Sequence, residues 1–164
     1  MAMGGGKGGS YGDFGQFDGV LPGSGANGGG ASGSDQDING AAASTNAVGG
    51  LSTAIGGYKG GDQVFPWSGL LPAAGGGGAG GAGQNASSDG RTAGNGGAGK
   101  LSSITSLKYG GGGGGGIHNT LDVTDAGVLG QGFDGGSNGA GPSAVGQSEI
   151  FAPHATANTG GGGG

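Results

Sequence analysis

The chain has no cysteine, only five prolines and a single tryptophan in 164 positions. Without cysteine there is no disulfide framework, no thiolate metal site and no thiol nucleophile. Basic residues are as scarce: Lys7, Lys59, Arg91, Lys100 and Lys108 are all there are, against ten acidic ones. They form no stripe that could follow a phosphate backbone, so nucleic acid is not an expected partner. No apolar run approaches the roughly 18–20 residues of a membrane span. Met1-Ala2-Met3-Gly4 lacks the charged and apolar regions of a secretory signal, so the expectation is a chain made in the cytoplasm that leaves, if at all, by lysis. Hydrophobic residues are 31% of the chain, many of them Ala, too few to build an ordinary core. Such a composition defaults to disorder, because little apolar burial opposes chain entropy. Disordered chains are usually charged, however, and this one is 9% charged.

What is present is glycine, 54 residues of it, concentrated in runs. The longest is Gly110–Gly116, directly after Leu101-Ser102-Ser103-Ile104-Thr105-Ser106-Leu107-Lys108-Tyr109. Glycine loses more entropy on ordering than any other residue. Ordered runs must recover this through backbone contacts. Polyproline-II backbones point their polar groups outward and, lacking Cβ atoms, can approach closely and bond to several neighbours; Cα–H···O contacts add a smaller term. The expected fold class is therefore irregular and all-β-like: polyproline-II (polyglycine) strands, short β segments and almost no α-helix.

An internal period organises the runs. Leu51-Ser52-Thr53 and Leu101-Ser102-Ser103 are 50 residues apart, as are Tyr58-Lys59-Gly60-Gly61 and Lys108-Tyr109-Gly110-Gly111. Gly19, Leu21, Pro22, Gly25, Gly28, Gly30, Gly33 and Gly40 align at the same offset with Gly69, Leu71, Pro72, Gly75, Gly78, Gly80, Gly83 and Gly90. The expectation is one glycine-rich structural domain, 1–164, of three degenerate units at about 1–50, 51–100 and 101–164. Within the third unit, Ile117–Thr124 alternates with period two and is the best strand candidate. Ser88-Asp89-Gly90 and Phe133-Asp134-Gly135-Gly136 read as turns.

Candidate interface residues come from the few apolar side chains and the longest run. Tyr11, Phe14 and Phe17 recur every third residue beside Gly6, Gly9, Gly12 and Gly15, which on a polyproline-II helix makes an aromatic edge. That edge is either a docking stripe or a local core anchor. The most apolar stretch, Val64–Pro72, brings Phe65, Trp67, Leu70 and Leu71, as an interface anchor or as local core. Gly110, Gly111, Gly112, Gly113, Gly114, Gly115 and Gly116 complete the set. The sparse core and the glycine at the end of the sequence favour packing of this run against a second subunit.

Chemistry is hard to find. His118 and His154 are the only histidines and lie far apart. Asp35, Asp37, Asn39 and Gly40 match the start of a calcium loop, but Asn46 stands where its bidentate Glu belongs, and a polar turn is the alternative. Gly99-Lys100-Leu101 lacks the Ser or Thr of a phosphate loop. No catalytic constellation, metal or cofactor is expected, and the protein is not expected to be an enzyme.

Leu101–Gly116, with its S-S-I-T…Y-G-G-G-G-G-G pattern, and Ala155–Gly164, with T-A-N-T-G-G-G-G-G, resemble glycine-rich domains of bacteriophage tail-fibre and related virion proteins. The resemblance covers about 90 residues in pieces. It implies a structural or receptor-binding role, often in a polyglycine-II sandwich at a fibre tip, and location in the virion after assembly in the host cytoplasm. Implied partners are copies of itself, other virion structural proteins and a host-surface receptor. An extracellular silk-like filament or matrix protein, or a glycan- or ice-binding polyglycine slab, are the alternatives.

Overall fold

A computed structural model describes residues 57–63, 70–119, 127–141 and 151–162. Among them there is no helix, as expected of a chain without a capped 3.6-residue period. Regular β-structure among the described residues is confined to two short antiparallel pairs. Strand β1 (Leu70–Pro72) pairs with β4 (Ile117–Asn119), Leu71 opposite His118. Strand β2 (Lys100–Leu101) pairs with β3 (Lys108–Tyr109) across a loop. The start of the Ile117–Thr124 strand candidate is thus a strand; its remainder lies outside the described residues.

Most of the described chain belongs to neither helix nor sheet. Its backbone bonds advance in steps of three residues. Ala73, Gly76 and Ala79 donate to the carbonyls of Gly116, Gly113 and Gly110, at 2.8–2.9 Å. Gly94 and Gly97 donate to Ala73 and Gly76; Gly112 and Gly115 donate to Gly97 and Gly94. Three segments thus enclose one axis, each bonded to the other two. A β-ladder cannot do this, because its backbone groups point to two sides only. A step of three sends successive groups in three directions.

The ladder extends on both sides. Residues 58–62 lie antiparallel to 73–79, with Tyr58 and Gly61 donating to Gly78 and Gly75. Residues 81–87 fold back after a turn closed by the Gly78 N–H on the Gly81 carbonyl. Beyond 110–117 lie 128–133 and then 136–140, joined by a turn in which Gly136 donates to Phe133. Asp134 and Gly135, at φ of 44° and 99°, sit in the left-handed region that this turn requires. The pairings of 58–61, 75–78 and 81–84 reappear in 112–115, 130–133 and 136–139, with donors and acceptors exchanged.

Among the described residues the side-chain core is small and sits at one end of the bundle. Leu70, Ala93 and Ile117 are buried together, with Leu129 packed against them. That end also carries a parallel bridge between Thr92 and Val128 and a tight turn. In the turn, Gly90 (φ 72°) donates to the Ser87 carbonyl, the Ser87 hydroxyl donates to Asp89, and Asp89 Oδ1 accepts from the Arg91 N–H at 2.9 Å. The Ser87 hydrogen bond, then that from Arg91, holds the Asp89 carboxyl below its ordinary pKa. Both turns read from sequence, at 88–90 and 133–136, are present.

Candidate functional site: the glycine bundle and its exposed end

Gly110–Gly116 lies at the centre of the bundle. It exchanges backbone hydrogen bonds with 73–79, 94–97, 130–133, 134–137 and 159–162, all within this chain. Gly111 and Gly114 donate to Asp134 and Ser137, Gly115 accepts from Gly130, and Gly110 donates to Thr159 at 2.7 Å. The sequence leaned toward neighbours on a second subunit; the partners of this run among the described residues belong to the same chain. The neighbours on these sides are the chain's own segments, brought in because the loops between runs let one glycine segment fold back beside another.

The packing explains glycine at most positions of this run. A Cβ at Gly112 would coincide with the Gly76 carbonyl, one at Gly115 with that of Ala73, one at Gly114 with that of Gly130, and one at Gly111 with that of Phe133. Each such Cα instead points a hydrogen at a neighbouring carbonyl, a contact worth about 0.5–1 kcal/mol. Outer segments can afford side chains at every third residue. In 91–99, Ala93-Gly94, Gly96-Gly97 and Gly99 are buried, while Thr92 and Asn95 are half-buried and Ala98 is exposed. Asn95 uses its outward position to accept from the Gln131 N–H at 2.7 Å, fastening the next segment.

The end opposite the apolar cluster is different. There the segments are joined by the 100–109 hairpin, the 78–81 and 133–136 turns and the 156–160 turn. Ser102 organises the hairpin loop: its N–H donates to the Leu107 carbonyl, its carbonyl accepts from Ser106, and its Oγ accepts from Ile104 and Thr105. Ser106 completes the bend at φ 56°. This ordered loop holds Leu101, Ile104 and Leu107 out in solvent, Ile104 at 92% exposure. Tyr58 and Phe133 are exposed at the same end. Asp134 ties the hairpin down, accepting from the Gly99 N–H at 2.8 Å and lying 3.9 Å from Lys108 Nζ.

Of the other candidates read from sequence, Leu70 and Leu71 are buried inside the chain. Tyr11, Phe14, Phe17, Phe65 and Trp67 lie outside the described residues, as do Asp35 and Asp37. His118 and His154 are exposed, and no group of His, Asp or Glu that could hold a metal is formed among the described residues. No helix among them is long and apolar enough to cross a membrane. The exposed loop residues Leu101, Ile104 and Leu107 were not singled out from sequence. Their three-residue spacing beside Lys100 and Lys108 was the available signal. No family model, curated protein or solved structure matches the chain.

Proposed function

We propose that this chain is a structural component of a phage-like virus particle, a fibre, tail or shell part whose body is a bundle of polyproline-II-type glycine segments. The observation that carries this is the step-of-three hydrogen bonding around Gly110–Gly116, with carbonyls at the places where Cβ atoms would be. Three residues per turn is the polyproline-II repeat. A rod bonded on several sides resists bending and offers a protease little free backbone, as a particle exposed outside the cell requires. The exposed Leu101, Ile104 and Leu107 at one end fit attachment to another particle protein or to a host-surface receptor, since clustered apolar side chains on an ordered loop mark a contact site.

An antibody against the chain tests the role directly. It should decorate purified particles at a defined position. Failure to find the chain in particles whose genes adjoin its own would exclude a virion role and favour the extracellular filament. Sizing in solution tests the manner of assembly: a monomer at every concentration would place assembly at the exposed end alone and not in glycine packing between subunits.

A further inference from the structure

The loop of the 100–109 hairpin joins two properties that seldom occur together. Its aliphatic side chains are in solvent, with exposure highest at Ile104 and lower, at 62% and 60%, at Leu101 and Leu107. Ile104 is thus the tip of a wedge and the two leucines are its shoulders. The loop's amides, in turn, need no water. The N–H groups of Ser102 and Ser106 donate to the carbonyls of Leu107 and Ser102 at 2.8 and 2.9 Å. Those of Ile104 and Thr105 donate to Ser102 Oγ at 3.3 Å, and that of Leu107 to Thr105 Oγ1 at 3.4 Å. Unpaired amides ordinarily keep a loop out of an apolar phase, where nothing replaces the lost water. Here five of the six amides from Ser102 to Leu107 carry their own acceptors.

Charge names the occupant. Lys100 and Lys108 stand at the base of the hairpin, opposite Tyr109 and Leu101, and no acidic residue occurs between them. Two of the five basic residues of a chain with net charge −5 are therefore set around this wedge. Asp134, 3.9 Å from Lys108 Nζ, is also held by the Gly99 N–H and leaves the Lys108 side chain 54% exposed. We infer that this loop docks on a lipid bilayer with anionic headgroups: Leu101, Ile104 and Leu107 enter the acyl boundary, Lys100 and Lys108 stay among the headgroups, and Tyr109 sits between. A protein pocket is gripped mainly by Trp, Tyr or Arg, whereas this loop offers Leu, Ile, Ser and Thr. The same loop of a second copy would set lysines against lysines. The inference rests on reading the exposed end as a contact site and not on a virion role. Vesicle binding would stand if the chain were absent from particles, and its failure would leave decoration of particles by an antibody untouched.

Flotation of the full chain with vesicles provides the test. The chain should float with vesicles of mixed phosphatidylcholine and phosphatidylglycerol, and at least about 10-fold less with phosphatidylcholine alone. Ile104→Asp, at a site too exposed to disturb folding, should weaken binding at least about 10-fold. Lys100→Gln, which leaves the contact of Lys108 with Asp134 in place, should weaken it about fivefold on the anionic vesicles, and added salt should shrink that difference. The chain has no cysteine, so Ser103→Cys beside the tip and Ser88→Cys at the opposite end, both exposed, each take a single environment-sensitive dye. On anionic vesicles the dye at 103 should shift to the blue and escape an aqueous quencher, while the dye at 88 stays in water. Equal responses at the two positions, or binding that Ile104→Asp leaves unchanged, overturn the proposal. Absence of binding to anionic vesicles overturns it and gives the loop to a protein partner. A dimer in vesicle-free solution that Ile104→Asp abolishes overturns it in favour of a second copy.

Discussion

Residues 91–99 and 110–117 bond to each other with the same three-residue step, yet one carries Thr92, Asn95 and Ala98 and the other has no side chain before Ile117. The difference is position. The first segment lies at the edge of the bundle, so one of its three faces meets solvent and can hold side chains. The second is enclosed by neighbouring backbones, and wherever its Cα–H bonds meet carbonyls a methyl group would displace a strand. Glycine content in this protein is therefore a measure of how many sides of a segment are covered. It is also selective, since 91–99 retains glycine only on its covered faces.

The sharpest way to break that contrast is to add a side chain to the enclosed segment. Gly112→Val should cost more than about 4 kcal/mol and abolish the cooperative thermal transition, because the Gly76 carbonyl and Gly97 N–H occupy the space. Ala98→Val, on the open face of the outer segment, should stay within about 0.5 kcal/mol of the parent. A Gly112→Val chain that melts like the parent would refute the enclosure. Next in size is Leu70→Ala, which removes the centre of the apolar cluster and should cost about 2–5 kcal/mol in denaturant unfolding. Comparing it with Gly112→Val ranks side-chain core against backbone lattice; a larger loss at Leu70 would make the cluster the principal support.

Asn95→Ala should cost about 1 kcal/mol, the net value of its bond to Gln131. It should speed exchange of the Gln131 amide while sparing Gly112. Equal loosening at both would mean that edge and centre melt as one unit. The smallest effect concerns the 87–91 turn. Asp89 has a folded-state pKa below its unfolded value, so its stabilising effect is present above the ordinary aspartate range and is lost as pH falls through the folded value. Amide exchange at Arg91 should therefore rise on acidification, whereas Gly97 and Gly112, with no titrating partner, should hold. Asp89→Asn should flatten that dependence at Arg91.

Much of the local structure was legible from residue types. The turn at Ser88-Asp89-Gly90 needed a glycine at positive φ, and the Asp134-Gly135 pair marked another such bend. The absence of helix among the described residues agrees with the absence of any capped 3.6-residue period. Ile117 declared a strand through its alternating neighbours, and the structure pairs it with Pro72, from a stretch read as apolar for a different reason. The neighbours of Gly110–Gly116 were not legible. Glycine has no side chain to encode register or partner, so a run of seven looks the same whether it spans a gap, bonds a second subunit or sits in the middle of a bundle. Nor did the sequence distinguish Leu70, which is buried, from Leu101, which is exposed, because both open short apolar pieces of similar composition.

By itself, then, the sequence determined the material and its punctuation: a glycine backbone that can be ordered only by close packing, interrupted by turns and small apolar pieces at a repeat of 50. The tertiary structure alone decided which segment is enclosed and which lie at the edge, and which apolar pieces face inward or into solvent. The physical reason is that backbone hydrogen bonds are the same at every glycine. Their pairing becomes specific only once the loops have set which segments lie side by side.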